Sequence, residues 1–195
     1  MGHTANLARG HESHTAREEN LEHSGVHIPP GEGARSLWVM SVLVTCKIPS
    51  HRTGGAYTLF EVATQPGSGP PPHVHHREDE SFYVLEGEFE FLIGGETLRV
   101  GAGSLLYFPK GTLHAHRVLG EAVGRMLVTQ TPGGLYERFF EEVGRPAKGE
   151  AGPRFFEEQA NVESIVAAAA KHGIELPPPL AEEFQPDSAL RGAAP

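Results

Sequence analysis

The sequence predicts an all-β protein, a sandwich or jelly-roll barrel followed by C-terminal helices. Short runs rich in β-branched and aromatic residues recur from Ser36 onward, punctuated by Gly and Pro. Nothing helical lies between them until Pro132, and strands in such close succession belong to a β-sandwich or barrel. After Pro132 the apolar spacing changes to that of a helix. At 195 residues the chain is long enough to bury one ordinary core without disulfides.

Residues 1 to about 25 are polar and show no periodicity, which reads as a flexible or loosely docked arm. Its histidines (His3, His11, His14 and His23) are irregularly spaced and accompany no carboxylate pattern, so they are left out of the candidate site. The arm has no apolar leader-like region, and no stretch of the chain is long and apolar enough to cross a bilayer. An unexported, cytoplasmic protein is expected. The single cysteine, Cys46, lies in an apolar run and reads as a packed strand residue. A net charge of −9 without a basic patch argues against nucleic-acid or acidic-membrane partners.

The strand-like runs, in order, are SLWVMSVLVTCKI, AYTLFEVATQ, SFYVLEGEFEFLIG, ETLRVG, SLLYFP, HAHRVL and GRMLVTQT. Within the third, Phe89, Phe91 and Ile93 alternate with Glu88, Glu90 and Leu92, which predicts a half-exposed antiparallel strand with one largely charged face. LYERFFEEV then places Leu135, Phe139 and Val143 on one helical face. A second helix is expected within EQANVESIVAAAAKHGI, capped near Asn161 and Ser164 and stopped by the prolines at 177 to 179. The last residues should fray. The expected organisation is an arm over 1–27, a barrel over 28–131 and a helical extension over 132–195.

The chemistry concentrates in GSGPPPHVHHREDESFYVLEG (67 to 87) and GSLLYFPKGTLHAHRV (103 to 118). Alternate residues of an extended segment share a face, so His73 and His75 can offer two imidazoles to one ion. Glu80 is an odd number of residues further on, so the chain must turn or bulge through HREDE before a carboxylate joins them. Glu78 and Asp79 are rival carboxylates in that turn. Pro109 and Gly111 mark a tight turn, after which His114 is the first side chain able to reach back across the barrel. Three imidazoles and a carboxylate suit Fe²⁺, Mn²⁺, Co²⁺, Ni²⁺ or Zn²⁺ with coordination positions left open, so one divalent transition metal ion per chain is expected. His116 shares a strand face with His114 and is a candidate pocket residue, whereas His76 should point away from His75. Of the aromatic wall residues Phe82, Tyr83, Phe89, Phe91, Tyr107 and Phe108, those facing inward would make an apolar pocket; Phe82 and Phe91 are the further pocket candidates, and most of the set otherwise reads as core.

The two stretches read G-x5-H-x-H-x4-E-x6-G from Gly67 to Gly87 and G-x5-P-x-G-x2-H from Gly103 to His114. They resemble the two cupin motifs, complete through the metal-binding positions, and the resemblance singles out Glu80 over Glu78. After the final histidine and three intervening residues many cupins carry Asn, where this chain has Val118. With the flanking TGGAYTLFEV and TPGGLYERFFEEVG, the region from about Ile28 to Pro146 is similar to bacterial monocupins related to quercetin 2,3-dioxygenase. That resemblance implies a cupin jelly-roll barrel, often paired as a homodimer through sheet edges. It also implies oxygen-dependent cleavage of a flavonol-like enol, with a small-molecule substrate and dioxygen as partners and Glu80 as both ligand and proton acceptor. Two other classes share the same barrel: a non-oxidative metal enzyme (isomerase, lyase or cyclase) and a non-catalytic small-molecule-binding module.

Overall fold

The computed structural model describes residues 25–147 and 162–177. The N-terminal histidines, the Asn161 cap and the frayed C-terminus expected above lie outside these residues. The first apolar run forms not one strand but a hairpin, β1 (Arg35–Val39) and β2 (Val42–Ile48), turning at Met40 and Ser41. Met40 takes a left-handed backbone conformation (φ 54°) that makes this two-residue turn. A short 3-10 turn (Ser50–Thr53) leads to β3 (Thr58–Thr64), in which alternate residues are buried. β4 (Val74–His75), β5 (Asp79–Glu86), β6 (Glu88–Ile93), β7 (Glu96–Val100), β8 (Leu105–Phe108), β9 (His114–Leu119) and β10 (Gly124–Thr131) follow.

These strands form two principal antiparallel sheets. After β10 come helix α1 (Leu135–Val143), β11 (Arg145–Pro146), helix α2 (Val162–Lys171) and β12 (Ile174–Glu175). The larger sheet runs β11-β1-β2-β3-β10-β5-β8, and the smaller runs β7-β6-β9. A two-stranded pairing joins β12 to β4, so segments after Pro132 add a strand to the edge of the larger sheet and another beside β4. The two sheets bury their inner faces against each other in a jelly-roll core. Phe82 of β5 meets Phe91 of β6 edge-on at 5.3 Å and Phe108 of β8 at 5.6 Å. Fully burying one such ring contributes about 1.5–3 kcal/mol, so this aromatic seam is a main source of stability.

Three expectations need correction. The run Glu88–Ile93 is not charged on one face: Phe89, Glu90, Phe91 and Leu92 are all buried. The strand is central in its sheet, and Glu90 is neutralised there by Arg117 at 2.6 Å across β9. The second helix stops well before the prolines at 177 to 179. It ends at Lys171, because Gly173 turns the chain with φ 81° and Ile174 and Glu175 pair with β4. Finally, Tyr83 and Tyr107 point outward, since they are register neighbours of Leu105 and Ser81 on the outer face of the edge strand pair.

Gly69 shows how tightly the segment before the first histidines is packed. A Cβ there would stand 1.8 Å from the carbonyl oxygen of His116 and 3.0 Å from Arg117 Cα. The obstacle is backbone in a paired strand, so Gly69→Ala should lower the melting temperature by about 4–8 °C, the equivalent of about 2 kcal/mol. Thermal unfolding followed by circular dichroism checks this. Cys46 is buried, and that burial, reinforced by Glu137 and Glu141 against the opposing effect of Arg35, pushes its thiol up to about 12. Only the thiolate reacts, so at pH 8.5 the folded protein should be alkylated more than about a hundredfold more slowly than the urea-unfolded chain. A mass-spectrometric time course with iodoacetamide measures both rates.

Candidate metal centre

The site begins with a backbone pairing. His73 N–H donates to the His114 carbonyl at 2.9 Å, and His114 N–H donates to the His73 carbonyl at 3.1 Å. Gly111 N–H donates to the His75 carbonyl at 2.7 Å, which anchors the turn before β9 beneath β4. These bonds carry the two histidine segments to the same end of the barrel. Between His75 and Asp79 the chain bends, and β5 resumes with Glu80, Phe82 and Val84 all facing inward. The one-residue change of phase that Glu80 requires is absorbed in that bend.

Four side chains converge: His73, His75, Glu80 and His114, whose donor atoms all lie within 4.8 Å of one another. Glu80 Oε2 stands 2.8 Å from His114 Nε2 and 3.4 Å from His75 Nε2. Its other oxygen accepts from Gln130 Nε2 at 2.5 Å, as the pairing of the two residues across β5 and β10 dictates. All four residues are buried, Glu80 to 2 % exposure. His73 Nδ1 donates to the Pro71 carbonyl at 2.9 Å and His114 Nδ1 to the Thr112 carbonyl at 3.0 Å. A carbonyl only accepts, so Nδ1 of each ring carries a proton and Nε2 is the nitrogen left to face the cluster.

This tests whether the residues fit an ion. Lone pairs on Nε2 and a carboxylate pointed at one another repel unless protons or a cation lie between them. His73 Nε2 and both nitrogens of His75 have no hydrogen-bond partner among the described residues. Burial and the neighbouring His114 and His75 hold His73 well below its usual range, so it resists protonation. Burial opposes charge on His75 too, yet Glu80 and Glu78 raise it; burial would lift Glu80, but His75 and His114 draw it down to about 2. The cluster is thus a preformed negative centre with imidazole nitrogens around it, a donor set that fits one divalent cation.

The rival carboxylates have other partners. Glu78 is buried, and its Oε1 accepts the Tyr136 N–H at 3.1 Å. It thereby serves the N-terminus of α1, whose cap residue Gly134 has no side chain to do so. Its Oε2 lies 3.7 Å from His75 Nδ1, on the side away from Glu80. Asp79 accepts from Lys110 N–H at 2.9 Å and Tyr107 O–H at 3.1 Å, tying β5 to the turn before His114. His76 is exposed and paired with Glu175 at 2.7 Å.

Beside the four donors lies a cavity of about 200 Å³, lined by His73, Glu80, Phe82 and His116 at its inner end. Val39, Val44 and Phe139 form walls, and the exposed Met40, Val162 and Val166 stand at its mouth. Sequence reasoning missed these contributions from the β1–β2 hairpin and from α2. No short-range signal joins residues so distant in the chain; the apolar face of α2 is the one clue. Phe91, expected at the pocket, is fully buried behind it, stacked on Phe108 at 6.1 Å and 5.2 Å from the His116 ring. His116 is buried, and that burial, with His114 beside it, lowers its ring to about 4 against the opposing pull of Glu80.

Residues 60–130 match the family model described as a cupin domain. Over 101 residues the chain is 30% identical to quercetin 2,3-dioxygenase of Bacillus subtilis, covering 52% of this chain and 29% of that protein. It is 34% identical over 95 residues to germin-like protein subfamily 2 member 2 of Arabidopsis thaliana, covering 45% and 43%. The chain thus spans less than half the length of these curated relatives. Among solved structures, KdgF from Halomonas sp. superposes with a TM-score of 0.50 at 21% identity, covering 57% of this chain and 96% of that one. A predicted oxalate decarboxylase from Thermotoga maritima gives 0.51 at 19%, covering 55% and 99%. At these identities the structural likeness concerns the fold, a cupin jelly-roll.

If the four converging residues hold the ion, Glu80→Ala and His114→Ala should each weaken Co²⁺ binding at least about a hundredfold. Glu78→Gln, which disturbs only the orientation of His75 and the start of α1, should cost about tenfold. Competition titration against a chromophoric chelator separates the two. Equal losses for Glu78 and Glu80 variants would place the ion between those carboxylates instead.

Proposed function

We propose that this chain, through its cupin domain, is a metal-dependent enzyme that oxidatively cleaves a flavonol or related enol with dioxygen. The observation that carries the reading is the buried set of three histidines and one glutamate opening directly onto an apolar cavity. The resemblance to quercetin 2,3-dioxygenase supports the specific reaction. The walls point the same way: among the described residues lining the cavity there is no Lys or Arg, and Glu80 is its only carboxylate. A phosphorylated or polycarboxylate substrate would enter without a side-chain counter-charge, whereas a flat neutral ring system is matched by Val, Phe and Ile side chains.

His73, His75, Glu80 and His114 would hold the ion. When bound, such an ion (Fe, Mn, Co, Ni or Zn) would supply Lewis acidity toward an enolic hydroxyl, favouring its ionised, electron-rich form. The chain's residues do the rest. Phe82 and the valines of β1 to β3 orient the ring system and exclude water. Glu80 Oε2 is the carboxylate oxygen placed to accept the hydroxyl proton. Gln130 holds the other oxygen in place. Burial would raise the Glu80 carboxyl, but His75 and His114 hold it low, so it is the ionised carboxylate that faces the cavity as proton acceptor.

Samples loaded separately with Fe²⁺, Mn²⁺, Co²⁺ and Ni²⁺ should consume oxygen on addition of quercetin, followed at an oxygen electrode. Glu80→Ala should lower the rate at least about a hundredfold. No uptake above the spontaneous oxidation of quercetin in any metal form would overturn the flavonol reading. Turnover of an enolisable substrate under nitrogen would assign the centre to a non-oxidative isomerase, lyase or cyclase.

A further inference from the structure

Three buried polar side chains line the cavity: His73, Glu80 and His116. The first two belong to the converging donor set. His116 does not, and its situation is unusual. It is 5 % exposed, and neither ring nitrogen has a hydrogen-bond partner among the described residues. An imidazole always carries at least one N–H donor, and buried polar groups of this kind are almost always satisfied. The rings around it cannot do so: Phe91 lies 5.2 Å away, Phe82 5.4 Å and Phe89 6.0 Å, centre to centre. Its backbone is fixed, in register with Phe91 in the middle of β6 and with Gly69 packed directly on its carbonyl, so the ring starts from a set position on the inner face.

We infer that His116 is a specificity-determining residue that hydrogen-bonds an oxygen substituent of an otherwise apolar ring ligand at the inner end of the cavity. This rests on the reading that the cavity holds the substrate, and it adds a second polar contact to the one made at the four-donor cluster. The ligand class it selects is hydroxylated or carbonyl-bearing aromatic molecules over hydrocarbons of the same shape. A site built to bond such an oxygen discriminates against the analogue lacking it, because the imidazole is then left unpaired.

The zinc-loaded protein, which is diamagnetic and redox-inert, is titrated calorimetrically with phenol and with toluene. The wild type should bind phenol at least tenfold more tightly than toluene. In H116F that ratio should fall at least fivefold, and in H116Q, which retains a donor and an acceptor, it should stay above half the wild-type value. Zinc content and melting temperature confirm that the variants are folded and loaded. A measurement needing no variant accompanies them: in histidine-labelled wild type the His116 ring-nitrogen resonances should shift with phenol and stay in place with toluene. An unchanged ratio in H116F, or unshifted nitrogens on phenol binding, would mean that the oxygen is held elsewhere or that His116 keeps only a water, and the inference would be wrong. Failure to bind either probe would also overturn it. The flavonol reading stands or falls separately on oxygen uptake with quercetin.

Discussion

The reciprocal backbone hydrogen bonds between His73 and His114 are the constraint on which the rest of the site depends. They make two distant segments register neighbours at one end of the barrel, so a single contact specifies both imidazole positions at once. The carbonyls of Pro71 and Thr112, each two residues before its histidine, then fix the ring tautomers from within the same segments. The prolines at 70 to 72 stiffen the approach, because their φ angles are restricted before folding begins. The local chain thus supplies orientation, and the barrel supplies proximity.

The second organising feature is the separation of three consecutive acidic residues. Glu78, Asp79 and Glu80 are chemically similar, yet each serves a different structure: the start of α1, the turn before β9 and the histidine cluster. Strand alternation accounts for part of this, since Asp79 and Glu80 fall on opposite faces of β5. Glu78 is assigned by α1, whose first turn leaves an N–H unsatisfied exactly where no cap side chain exists. The helix after the barrel is in this sense part of the site. It occupies the carboxylate that would otherwise compete with Glu80, and Tyr136 of its first turn packs edge-on against His75 at 4.7 Å.

Much of this was legible in the residues. Alternating burial in β3, β5 and β10 follows the sequence pattern, and the two motifs locate the four converging side chains. Alternation misled at Glu88–Ile93, where Glu90 is buried with Arg117 as its counter-ion. A charged residue reads as exposed unless its partner is visible, and that partner lies on another strand. The same limit applies to Phe91, Tyr83 and Tyr107, all plausible pocket aromatics by composition. Their faces are settled by pairing with β9 and β8. The end of α2 was misplaced because Gly173 breaks the helix ahead of the prolines, and the pairing of Ile174 with His75 makes that break useful.

The sequence alone determined the all-β class, a sandwich or jelly-roll, and, through the motif resemblance, the cupin barrel and its donor set. The class follows from local rules, two-residue alternation and turn residues, and the pairing of His73 with His75 from their spacing along extended chain. What the tertiary structure decided is what Glu78 and Asp79 serve instead of the cluster and where the apolar cavity lies. It also decided that His116 stands at the inner end of that cavity without a partner. These depend on contacts between segments far apart in the chain, above all α1, α2 and the β1–β2 hairpin meeting around the cavity. Such contacts arise from burying apolar surface, a force without direction that leaves no spacing rule in the sequence.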